Sequence, residues 1–206
     1  MKFVMKLVSG AVLVAASTMA GAEKLEVIPE QYQVCTVCHG TMLRGNSSTK
    51  APAIAGLQSW YVSKQLTSFK KEWRGKHPQD VPGTEMYPVA AGMSEKEISA
   101  AAKFVASLPV PTSTSATVTG DVEAGEKLYS ACKACHGGKA DGNKLLGAPS
   151  LAIQNDWYLK QQLINYRNGI RGSHPEDSKG ASMAQAAKGL SGEHDIDNIV
   201  AYISTL

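Results

Sequence analysis

The residues best placed to do chemistry are four cysteines and two of the five histidines. They stand as Cys35-Thr36-Val37-Cys38-His39 and Cys132-Lys133-Ala134-Cys135-His136, two copies of C-x-x-C-H that use every cysteine in the chain. On a helix, residues three apart share a face and the next lies beside it. Two thiols at that spacing can form thioethers to the vinyl groups of a porphyrin while the adjacent imidazole reaches the iron from one side, which is the attachment signature of a c-type haem. A lone C-x-x-C would equally suit a redox dithiol or a zinc site, and four cysteines in an exported chain would ordinarily suggest two disulfides. The paired motifs, each closed by His, favour two covalent haem c groups.

The motifs belong to a longer internal repeat. A shift of 97 residues lays Tyr32 on Tyr129, Pro52 on Pro149, Trp60-Tyr61 on Trp157-Tyr158, Gln65 on Gln162, Arg74-Gly75 on Arg171-Gly172 and Asp80 on Asp177. It also lays His77 on His174 and Met86 on Met183, so the chain offers two pairs of candidates for a sixth iron ligand. Methionine raises a haem potential and a second histidine lowers it. Position favours Met86 and Met183, each 47 residues beyond its C-x-x-C-H histidine (39 to 86, 136 to 183) and each expected in a short loop before a terminal helix. Met42 and Met93 fall opposite Lys139 and Leu190, and Met93 reads as core.

The elements that must position these groups are helical. The pattern predicts an all-α fold of two tandem domains, each with about three main helices around its haem, and no persuasive strand. The first helix of each half carries the haem motif, starting near Pro29 in one and capped by Asp121 in the other. A second helix spans about 59–74 and 156–168, stopped by Gly75 and Gly169. In the terminal helix, Ser94 and Glu97 make a capping box ahead of Ile98, Phe104, Val105 and Leu108, with Ile196, Ile199, Val200 and Ile203 as the matching stripe. Domains this small bury little apolar surface unaided, and a covalent porphyrin would complete the core.

At the N-terminus, Lys2 and Lys6 precede an apolar run over residues 7–16 that ends Ala20-Gly21-Ala22. This is the pattern of a cleaved secretory signal over 1–22, too short in its apolar part to span a bilayer. The expected organisation is then a first domain over 23–108, a Pro/Thr/Ser linker over 109–120 and a second domain over 121–206. With 206 residues, 43% hydrophobic, and a formal charge of +3, the chain is globular and lacks the strongly basic face that nucleic-acid binding requires. Residues 23–108 hold 10 basic and 8 acidic residues, and 112–206 hold 9 and 10, so the halves differ in sign and a dipole would orient encounters with redox partners.

The whole mature chain resembles a dihaem cytochrome c4, two class I cytochrome c domains in tandem. The resemblance rests on both C-x-x-C-H motifs, Pro52-Ala53-Ile54 and Pro149-Ser150-Leu151, the Trp-Tyr pairs, the run ending at Gly172, and the Met followed by a terminal helix. It implies a periplasmic electron carrier with Cys35, Cys38, Cys132 and Cys135 holding the haems and His39, Met86, His136 and Met183 as iron ligands. It implies delivery toward a terminal oxidase or reductase from a quinol-oxidising complex or dehydrogenase, and domains packed with haem propionate edges face to face; loose membrane-surface association is left open by the sequence. It would also have Pro52 and Pro149 offering carbonyls to His39 and His136. Arg74 and Arg171 read either as propionate partners or as surface residues, and a polar tip of each Trp-Tyr pair as a further propionate donor. The first half departs at Ile28, where the second has Gly125 for a close helix crossing, and at Trp73, opposite Ile170. Lys70, Lys71, Arg74 and Lys76 read as a solvated face before a docking site. A tightly bound dehydrogenase subunit and a dihaem redox enzyme are the competing classes; the enzyme needs an open iron site or a Cys ligand, and no cysteine is left over.

Overall fold

The computed structural model describes residues 27–111 and 116–206; the expected signal segment, 1–22, lies outside them, as does the middle of the expected linker. Each half is a small helical domain with its own core. In the first, a 3-10 turn (Glu30–Tyr32) leads into α1 (Gln33–His39), a two-stranded antiparallel hairpin follows (β1, Arg44–Asn46; β2, Ala51–Ala53), and α2 (Ser59–Lys70), α3 (Val81–Ala91) and α4 (Glu95–Ser107) complete the domain. The second holds α5 (Val122–His136), α6 (Asp156–Arg167), α7 (Ser178–Ala187) and α8 (Glu193–Ile203). The all-α tandem architecture is as expected.

Two expectations are corrected. Each half has four α-helices among its described residues, because the segments carrying Met86 and Met183 are helices α3 and α7 and not loops. Their sequences hide this, since α3 contains Gly83 and Pro88 and neither has a clean apolar stripe. What starts them is an N-cap: Asp80 accepts from Gly83 N at 3.2 Å and Asp177 from Gly180 N at 3.0 Å, satisfying a donor the first turn leaves open. The second correction is the hairpin, whose three-residue strands are too short to show alternation; the second half keeps only a single Asn143–Ala148 bridge at that place. Helix ends also shift, α2 stopping at Lys70 and α6 at Arg167.

The terminal helices pack as their patterns require. Ile98, Ala101, Ala102 and Val105 of α4 are buried, as are Ile196, Ile199, Val200 and Ile203 of α8, and the Ser94/Glu97 capping box is complete. Asp121 caps α5, accepting from Ala124 N at 3.0 Å. Gly125 lies where α5 crosses α8 so closely that a Cβ there would sit 2.0 Å from Asn198 O and 2.9 Å from Tyr202 Cβ. The first half, with Ile28 in that place, has no long crossing helix among its described residues; Tyr32 stacks on Phe104 of α4 instead, ring centroids 4.3 Å apart. Met93 packs on the first core.

The expected linker is anchored on its second-domain side. The Asp156 carboxylate, 7% exposed at the start of α6, accepts from Thr117 N, Thr117 Oγ1 (2.9 Å), Val118 N (2.6 Å) and Trp157 N (2.7 Å). Burial pushes the Asp156 carboxyl up, but these donors outweigh it and hold it below the ordinary range. No helix among the described residues is long and apolar enough to cross a membrane.

Candidate functional site

Each haem motif ends its helix. His39 closes α1 and His136 closes α5, and both are buried, at 9% and 7% exposure. The chain then turns sharply away at Gly40 and Gly137, both with φ of 82°, a conformation only glycine adopts freely. The next segment comes back over the imidazole: His39 Nδ1 lies 2.8 Å from Pro52 O and His136 Nδ1 2.9 Å from Pro149 O. Carbonyls only accept, so each Nδ1 carries the proton and donates. Burial pushes both imidazole pKa values down, outweighing the bond to the carbonyl, so both rings are neutral. A neutral ring with Nδ1–H engaged presents its Nε2 lone pair to a metal, in a fixed orientation.

Cys35 and Cys132 are half-buried, Cys38 and Cys135 exposed, and none is in a disulfide. Burial raises the Cys35 and Cys132 thiols, leaving both protonated at neutral pH. Met86 and Met183 sit five residues after the first residue of α3 and α7, half-buried, with Met86 against the first core. The two domains thus hold the same donor set on equivalent helices. Among the described residues no cluster of three or more His, Cys, Asp or Glu side chains would hold a bare ion. A His/Met pair suits an iron whose other ligands arrive in a macrocycle.

The repeated Arg, Gln and Tyr residues meet between the domains, which the shift of 97 did not reveal. Gln65 Oε1 accepts from Arg74 Nη1 (2.8 Å) and from Arg171 Nη2 across the interface (2.7 Å); Gln162 Oε1 accepts from Arg171 Nη1 (2.7 Å) and from Arg74 Nη2 (3.2 Å). Tyr158 Oη and Tyr61 Oη accept from the opposite arginine at 2.9 and 3.3 Å. Each guanidinium also lies over a ring of its own domain, Phe69 or Tyr166, at 4.5 Å. Arg171 is 5% exposed, so its surface alternative is withdrawn. Burial pushes the Tyr61 phenol up, but Arg171 and Arg74 outweigh it and bring it below its ordinary value.

This centre tests whether a haem fits. Two guanidiniums lie at the interface with no carboxylate paired to either among the described residues, and the buried Arg74 Nε has no acceptor at all. Unpaired charge and an orphaned donor at such a site call for an anion. Porphyrin propionates supply one, and the residues fit the group.

Other expected features resolve differently. The four cations of 70–76 do not make one face: Lys70 Nζ donates to Ala91 O (3.2 Å) and Met93 O (2.6 Å), Lys76 pairs with Glu72 at 3.1 Å, and Arg74 belongs to the interface. Trp73 breaks the symmetry, donating from Nε1 to Glu176 Oε2 at 3.0 Å and stacking on His174 at 5.9 Å. His77 and His174 are turn residues whose Nδ1 atoms accept from Gln79 N and Glu176 N, each at 3.2 Å.

Two copies of one helical frame, each offering a thiol pair and a His/Met donor set, define a tandem c-type cytochrome. The cytochrome c family profile matches residues 28–109 and 122–206. Cytochrome c4 of Azotobacter vinelandii is 31% identical, covering 84% of this chain and 84% of its own. A thiosulfate dehydrogenase electron acceptor of Stutzerimonas stutzeri (strain A1501) is also 31% identical, over 71% of this chain and 68% of its own. The structure of Acidithiobacillus ferrooxidans cytochrome c4 superposes with a TM-score of 0.70 at 27% identity, covering 84% of this chain and 99% of that one. The chain belongs to the cytochrome c family, in its dihaem cytochrome c4 branch, and carries two covalent haem c groups as an electron carrier.

Proposed function

We propose that this chain is an exported shuttle that takes single electrons from a quinol-oxidising complex or dehydrogenase and passes them toward a terminal oxidase or reductase, making and breaking no substrate bond. The observation that carries this reading is the duplicated imidazole arrangement: His39 and His136, each neutral, buried and fixed by Nδ1–H to a proline carbonyl at 2.8 and 2.9 Å. Bound haem supplies a one-electron iron couple. His39 and His136 would each offer an imidazole nitrogen to an iron, Met86 and Met183 a thioether sulfur, and Cys35, Cys38, Cys132 and Cys135 the thiols that would bond the porphyrins covalently. With two protein donors for each iron, the chain would leave no open coordination site for a small substrate. Arg74 and Arg171, with Tyr61 and Tyr158, would meet the propionates between the domains. Residues 1–22 are the cleaved signal that delivers the chain to the periplasm, with domains over 23–108 and 121–206 joined by 109–120. The decisive measurement is the optical spectrum of the exported protein: two haems per chain, the weak near-infrared band of Met-ligated ferric haem at full strength and no carbon monoxide binding are expected. Carbon monoxide binding to either haem overturns the shuttle and reopens enzyme chemistry.

A second reading is favoured by the relative named for accepting electrons from thiosulfate dehydrogenase: a cytochrome held on a dehydrogenase. Co-purification with a dehydrogenase at a fixed stoichiometric ratio selects it over the free shuttle.

A further inference from the structure

The peptide group between Pro52 and Ala53 is bonded at both ends, and the two ends answer to different domains. Its carbonyl accepts from His39 Nδ1 at 2.8 Å, while its N–H donates to Gln154 Oε1 and Asn155 Oδ1 of the second domain, both at 3.0 Å. Gln154 Nε2 also donates to Ala53 O at 3.0 Å. The reverse arrangement holds the other histidine. Pro149 O accepts from His136 Nδ1 at 2.9 Å, and Ser150 N donates to Gln58 Oε1 of the first domain at 3.3 Å. Gln58 and Asn155 are 97 residues apart and so occupy one position of the repeat. Ala53 and Ser150 are 2% and 8% exposed, which keeps bulk water from replacing these bonds.

An amide bonded at its N–H becomes a better acceptor at its oxygen, because the two ends of the peptide polarise together. A stronger acceptor draws the Nδ1 proton and makes Nε2 a stronger donor to a metal. Stronger donation favours the oxidised iron and lowers its potential. We propose that Gln154 and Asn155 tune the first haem through His39, and Gln58 the second through His136, each domain setting its neighbour's potential through a single peptide group. They are positioning residues, and the inference rests on His39 and His136 being iron ligands.

The test is a spectroelectrochemical titration of the full-length holoprotein, the two haems being assigned by the hyperfine-shifted methyl signals of Met86 and Met183. Gln58→Leu is expected to raise the potential of the second haem, leave the first in place, and move the His136 Nδ1–H signal upfield. The double variant Gln154→Leu with Asn155→Leu is expected to do the converse, with the larger shift, since it removes two acceptors. Gln58→Asn, carrying the amide that Asn155 uses, is expected to keep both wild-type potentials. A shift confined to the variant's own domain, equal shifts of both haems, or none overturns the inference. A wild-type spectrum without two His/Met haems overturns the ligand assignment, and this proposal with it.

Discussion

Replacing Met86 by alanine is expected to open one iron and leave the other closed. The near-infrared band is expected to fall to half its strength, with carbon monoxide binding to one haem per chain, and Met183→Ala is expected to mirror it; difference spectra with carbon monoxide check both. Asp156 makes a prediction of a different kind. Its carboxyl is held below the roughly 3.9 of an unstructured aspartate by the donors of Thr117, Val118 and Trp157. A depressed folded value means the stabilisation is complete above the unfolded value and fades as pH falls through it toward the folded one. Asp156→Asn leaves at least one donor unpaired and is expected to cost about 1–3 kcal/mol at neutral pH. It is also expected to flatten the decline in stability below about pH 5 that the wild type shows in urea titrations.

Among the elements, Gly125 allows α5 to cross α8, and Gly125→Ala forces a Cβ against the Asn198 carbonyl. A loss of about 3 kcal/mol or more is expected in the second domain. Hydrogen exchange at α8 amides should quicken while α4 amides, whose domain has Ile28 at that position, keep their protection. The glycine was legible because the repeat set it against a bulky residue. The terminal helices were legible for a similar reason, since a buried stripe of Ile and Val at helical spacing has few other uses. Helices α3 and α7 were not, because their apolar residues do not form a stripe and Pro88 argues against a helix. The pairing of Asp80 with Asp177 was the available signal, two N-caps lying in register with no role assigned. The hairpin beside Pro52 is three residues a strand, below the length at which alternation shows.

For the whole molecule, the sequence announced a duplication but not how its halves meet, because interface residues carry no periodicity of their own. Gln65, Gln162, Arg74 and Arg171 were visible only as matched pairs, and their bonds run crosswise. Trp73 is one place where the match fails and one domain grips the other. Trp73→Ile installs the residue that the second half uses, removing a bond to a carboxylate and a ring stack. It is expected to cost about 2 kcal/mol of domain association, seen as separation of the domains at lower urea in small-angle scattering, with both haem spectra unchanged.

The crosswise bonding of Gln65, Gln162, Arg74 and Arg171 is the pattern of a two-fold dimer, in which the same patch serves both partners. A joint of that kind is specified by its own surfaces. The stretch of chain between the domains then acts as a tether that raises local concentration, and the geometry of the pair does not depend on it. A cut introduced between Pro111 and Ala116 should give two fragments that elute together on a sizing column and part only on dilution.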